Sequence, residues 1–171
     1  MSRAFVRESD DRPELPLARQ AAALPAGARN YITPDGAARL REELRRLVEI
    51  ERPRFSATDD PEAKRQLLVL AQRIQQLEAS LQAAEVVPLP EGAADVVRFG
   101  ASVTIRRATG DEDEYRIVGI DEIDLDRGWV SWASPIARAL LNARAGERVR
   151  FKFPSGEEQI EVVSVRYDVQ N

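Results

Sequence analysis

Apolar residues recur at Leu67, Leu70, Ile74, Leu77, Leu81 and Ala84, in steps of three and four without a break. That spacing is the a/d seam of a coiled coil, and one such seam needs a second to bury it. The second lies upstream, where Ala37, Leu40, Leu44 and Leu47 repeat the pattern. Thr33 can cap that helix, and Pro34 suits its first position, where an N–H would go unbonded anyway. The helix is expected to reach about Arg54, with Pro53 weakening or kinking its last turn. The connection "ATDDPEA" is short, and short connections make antiparallel neighbours. Residues 30–87 therefore read as an antiparallel coiled-coil hairpin with an acidic tip.

The period then changes. Two prolines and a glycine in "VVPLPEGAADV" end the second helix, with 88–93 as a linker. Beyond it apolar residues alternate, at Val103 and Ile105 and again at Tyr115, Ile117 and Gly119. "GWVSWAS", "VRFKF" and "IEVVSVRY" are further strand candidates, and turns fall at "ATGDEDE" and "FPSGEE". In "SPIARALLNARAGE", Ser134 can cap a short helix, Pro135 opens it and Gly146 lies beyond its end. The fold class is thus α+β, with 94–171 forming a small, strongly bent antiparallel sheet and one short helix. Residues 1–29 lack any sustained period and read as a flexible N-terminal arm.

Composition narrows the chemistry. The 171 residues contain no cysteine and no histidine. Disulfides, thiolate metal sites, the commonest general base and any Ser-His-Asp arrangement are excluded. A metal would have to be a hard ion held by oxygen. A net charge of −4 argues against a broad basic face for duplex DNA. No apolar run approaches the roughly 20 residues of a membrane span. The first residues carry acids and no apolar core of a signal peptide, so a cytoplasmic protein is expected.

Three features could carry function. Asp59, Asp60 and Glu62 cluster at the tip. Asp59 and Glu62 would share a face if the helical turn at Pro61 includes both, and could then hold Mg²⁺ loosely. Equally, acids suit a helix N-terminus, with Asp60 as an ordinary cap. Arg41, Arg45 and Arg52 fall within about 40° around one helix. They could track a nucleic-acid backbone or an acidic surface, or simply pair with Glu42, Glu49 and Glu51. Trp129, Trp132, Ile136 and Leu140 suit the core of the sheet, or an exposed docking patch. "DEDE", 111–114, reads as a solvated hairpin turn.

The chain resembles the bacterial transcript cleavage factors GreA and GreB, the latter more closely. "NYITPDGAARLREEL" with "ERP", then "RIQQLEASLQAAEVV", match the two coiled-coil arms. "VRFGASVTI", "YRIVGIDEID" and "SWASPIARALLNARAGERV" follow in order through the second domain. The resemblance spans about Asn30 to Tyr167. It implies an FKBP-like C-terminal domain docked at the rim of the RNA polymerase secondary channel, with Ser134, Pro135, Ile136 and Arg138 near the contact. The coiled coil would enter the channel. In the family, tip acids help hold the second Mg²⁺ of the polymerase, which then cuts its own backtracked RNA. The protein would hold no cofactor itself, and Mg²⁺ would enter only as the polymerase's catalytic ion.

The tip departs from the family motif Gly-Asp-x-x-Glu-Asn-Ala-acid-Tyr. Asp59 and Glu62 keep the Asp-x-x-Glu spacing, but Thr58 replaces the glycine, and Ala63, Lys64 and Arg65 follow Glu62. Each arm also lacks about seven residues, roughly 10 Å of reach. Rnk, a relative with a stubby coiled coil, is a precedent for such short forms. The leading expectation is a monomeric, non-enzymatic regulator of transcription elongation that occupies the channel without stimulating cleavage. Arg41, Arg45 and Arg52 would face the channel, nascent RNA or DNA. A cleavage factor with an altered tip, a peptidyl-prolyl isomerase and a coiled-coil adaptor remain alternatives.

Overall fold

The computed structural model describes residues 24–91 and 95–168. Of the expected arm over 1–29, residues 1–23 fall outside them, as do 92 and 93 of the 88–93 linker.

The first helical arm begins as its sequence dictates. Pro34 opens α1 (Pro34–Arg46), and the Thr33 hydroxyl accepts the Gly36 N–H at 3.0 Å. The arm does not simply kink at Pro53. It widens one turn earlier, over Leu47–Glu51, into a π-helical turn in which the Arg52 N–H donates to the Leu47 carbonyl. Pro53 has no N–H to continue the regular ladder, and the wide turn absorbs the break. A short α2 (Arg52–Ser56) completes the arm.

The second arm, α3 (Pro61–Ala83), carries the long seam. Leu70, Ile74 and Leu77 are buried with Ile32, Ala37, Leu40 and Leu47, while Leu44, Phe55, Leu67 and Leu81 close the margins. Glu43 of α1 grips Arg73 of α3 through two contacts of 2.8 and 3.0 Å. Ala84, expected to end the seam inside a helix, instead starts β2 (Ala84–Val86). β2 pairs parallel with β1 (Asn30–Ile32), with Tyr31 opposite Glu85. Val86 and Val87 are β-branched and Val87 precedes Pro88, which favours extended backbone over helix.

The second unit is a five-stranded sheet in the order β5-β4-β3-β7-β6. Its strands are β3 (Ser102–Arg106), β4 (Glu112–Val118), β5 (Trp129–Ser131), β6 (Arg148–Phe153) and β7 (Gly156–Arg166). It is not wholly antiparallel. β5 runs parallel to β4, with Ile117 opposite Val130. The segment between them, 119–128, holds two 3₁₀ turns, Ile120–Glu122 and Leu125–Arg127. It therefore crosses back before pairing, where a tight hairpin would have made the strands antiparallel. "DEDE" is also reassigned, since Glu112–Glu114 lie within β4. Its acids are tolerated there because Glu112 meets Arg106 at 2.8 Å and Glu114 meets Arg166 at 2.6 Å.

In β7 the register jumps from Ile105↔Val162 to Thr104↔Ser164. This bulge lets Val162 and Val165 both face the core. There they meet Val97, Val103, Ile105, Ile117, Phe151 and Ile160. The short helix α4 (Pro135–Leu140) lays Ile136, Ala137 and Leu140 on the same core. It stops well before Gly146, because Leu141 turns out of the helix at ψ 133° and Asn142 follows in a left-handed conformation at φ 70°.

Leu77 is 2% exposed, so Leu77→Ala should destabilise the protein by about 2–5 kcal/mol. Asp59→Ala at the exposed tip should stay within about 0.5 kcal/mol. Urea unfolding of the two variants checks the contrast.

Candidate functional site

The tip acids are all exposed. Asp59 and Asp60 precede the helix and Glu62 lies in its first turn, so Asp59 and Glu62 do not share a helical face. Asp60 occupies the cap position, yet its side chain makes no capping bond. Only its carbonyl serves the helix, accepting the Lys64 N–H at 3.1 Å. Each outer acid has a basic neighbour instead. Asp59 meets Lys64 at 3.2 Å, while Glu62 meets Arg65 at 3.4 Å and Gln66 at 3.1 Å. Among the described residues no group of three acids converges as a metal cage.

The arginine stripe is broken. Arg45 is held by Glu42 at 2.9 and 2.5 Å and by Glu49 at 3.1 Å. The hydrogen bond from Arg45 keeps the Glu42 carboxyl below its ordinary range. Arg52 lies beyond the π turn, which adds residues without adding rotation, and so falls out of line with Arg41 and Arg45.

The expected docking residues divide. Ser134 is buried as the cap of α4, accepting the Ala137 N–H at 3.2 Å. Ile136 is 5% exposed and belongs to the sheet core. Its apolar side chain is spent on packing, which is the core reading of this residue. Pro135 is half-buried and Arg138 exposed.

The densest polar arrangement lies where arms meet sheet. The Glu122 side chain, 1% exposed, accepts the N–H of Thr33 at 2.9 Å and of Gly119 at 3.0 Å. It also takes the Thr33 hydroxyl and, at 3.4 Å, Arg39. A Cβ on Gly36 would overlap the Glu122 carboxylate, and one on Gly119 would overlap the Tyr31 carbonyl. Asp35 binds Arg116 at 3.0 and 3.1 Å and Arg39 at 3.0 Å. Arg39, Arg116 and Arg127 then pack on Trp129, at 4.7, 4.8 and 4.9 Å from the ring centre. Asp121 joins Asn30 at 2.9 Å to Ser80 of α3 at 3.1 Å. Tyr31 packs edge-on against Trp132 at 5.3 Å.

The family model for the C-terminal region of the transcription elongation factors GreA/GreB matches residues 92–167. Transcription elongation factor GreB of Neisseria meningitidis serogroup A is 42% identical over 154 residues, covering 81% of this chain and 94% of that protein. The chain belongs to the GreA/GreB family. Transcription elongation factor GreA of Alkalilimnicola ehrlichii is 40% identical over 152 residues, covering 80% and 96%. The crystal structure of the GreA factor homolog 1 (Gfh1) protein of Thermus thermophilus is 26% identical, covering 81% and 99%, with a TM-score of 0.39.

The alignments to these GreA/GreB relatives carry a length difference. The 154 positions aligned to the Neisseria factor take in 81% of this chain, about 139 residues, so about 15 positions have no counterpart here. The junction was not read from the sequence at all. Glu122 stands in an acidic run with Asp121, Asp124 and Asp126, so no local signal singles it out.

Burial pushes the Asp35 carboxyl up, but the Thr33 hydroxyl and the Arg116 guanidinium outweigh it and leave the group below its ordinary 3.8. A lowered folded pKa gives stability that is complete above the unfolded value and is lost as pH falls through the folded one. Acid unfolding followed by fluorescence should thus show Asp35→Asn flattening the drop in stability below pH 3.8. Separately, Glu122→Ala should cost about 3–5 kcal/mol, because it strands the buried N–H groups of Thr33 and Gly119.

Proposed function

We propose that this GreA/GreB-family protein is an RNA polymerase-binding regulator of transcription elongation that enters the secondary channel without stimulating RNA cleavage. The observation that carries this reading is the shortfall of about 15 aligned positions, beside helical arms whose longest helix has 23 residues. That helix is about 35 Å long at 1.5 Å per residue. A loss of about seven residues from each arm would withdraw the tip by roughly 10 Å, and a misplacement of only about 1 Å can already cost catalysis about a hundredfold. In this reading 30–87 is the family's antiparallel coiled coil and 94–171 its FKBP-like domain. The protein is not itself an enzyme. Mg²⁺ enters only as the polymerase's own ion.

One observation favours a second reading, a working cleavage factor with an altered tip. The pairs Asp59–Lys64 and Glu62–Arg65 are exposed, and such pairs are worth about 1 kcal/mol or less. They would yield to a metal if the tip could reach one.

RNA length followed over time in a backtracked elongation complex separates the two. The protein alone should leave the RNA intact, and in excess it should suppress cleavage by a full-length factor. Shortened RNA with the protein alone would sink the leading reading. Docking is tested apart from reach. Because Ile136 is core, the probe is exposed Arg138, and Arg138→Glu should weaken polymerase binding by about tenfold without lowering the melting temperature.

A further inference from the structure

The sheet ends on one side in β6, which has no second strand partner and has α4 packed close to it. β6 hydrogen-bonds only to β7, and no other backbone partner for 148–153 occurs among the described residues. In an antiparallel ladder every second residue turns its N–H and C=O away from its partner strand. Six residues of β6, with no internal proline or bulge, therefore offer an open set of donors and acceptors to a further strand.

The side chains say what kind of strand. Arg148, Arg150 and Lys152 alternate on the outer face and are 67%, 70% and 76% exposed. Phe151 points the other way into the core. The acids that meet these cations lie behind them on β7, and each is shared. Glu157 serves Arg150 at 3.0 Å and Lys152 at 3.9 Å. Glu161 serves Arg148 and Arg106, both at 3.7 Å. Three cations thus line the outer face beside the open edge and share two carboxylates of β7. A second copy of this edge would set like charges opposite one another, which disfavours self-pairing. A strand with acids at alternate positions would complete both the hydrogen bonds and the charges.

We propose that the free edge of β6 docks an extended, acidic segment of a protein partner, which joins the sheet as an added strand. This inference does not depend on polymerase binding.

The test uses the full chain and a labelled heptapeptide, Thr-Glu-Val-Glu-Val-Glu-Thr, read by fluorescence anisotropy and by hydrogen exchange of β6 amides. The peptide should bind saturably and slow exchange at alternate residues of β6. A peptide with prolines in place of the valines keeps the charge but cannot form the ladder, and should not bind. The triple variant Arg148→Thr, Arg150→Thr, Lys152→Thr keeps strand-forming residues and should bind about tenfold or more weakly. Equal binding of both peptides would reduce the edge to a charge effect and overturn the proposal. So would absence of binding, or binding at β6 of a single-stranded oligouridine in preference to the peptide.

Discussion

The carboxylate of Glu122 sits between the two units and accepts from both. Thr33 gives it a backbone N–H and a hydroxyl from the root of α1, and Gly119 gives it an N–H from the sheet. A buried charge so placed is costly unless each bond is made, and each bond fixes one element against another. Thr33 also accepts from Gly36, so the residue that starts the helix is the residue that ties it down. Around this centre Asp35, Arg116, Arg39 and Trp129 form a second bond between arm and sheet, and Asp121 a third to α3. The arms are held at their base from three directions.

Anchoring at the base decides what arm length means. A hairpin that pivoted freely could make up lost reach by tilting or sliding. One held by buried ion pairs and by glycines that admit no side chain carries its tip at a set distance from the sheet. Under the proposed function, residues missing from the arms would translate directly into lost reach, because the base leaves no freedom to make it up. The π turn above Pro53 adds to this, since it rotates the tip-proximal arginine out of the stripe formed below it.

Periodic features were legible in the sequence. The seam from Leu67 to Leu81, the cap at Thr33 and the alternation in β3 and β7 each follow from a local rule about spacing or hydrogen bonding. What escaped was set by distant partners. Glu112–Glu114 read as a turn because their acids look solvated, yet cross-strand arginines support them in β4. The parallel β5 depended on how 119–128 folds back, which no short-range pattern reports. Ile136 was open to two readings, sheet core or docking patch, and its side chain packs in the core. Glu122 was overlooked because three of its four donors, on Thr33 and Arg39, lie more than 80 residues away in the chain.

A photoreactive residue in place of Asp60, in a reconstituted polymerase elongation complex, tests the account most directly. Crosslinks to the channel wall short of the catalytic loop would be the predicted result. Crosslinks to the catalytic loop, or to the RNA at the reacting phosphodiester, would contradict it.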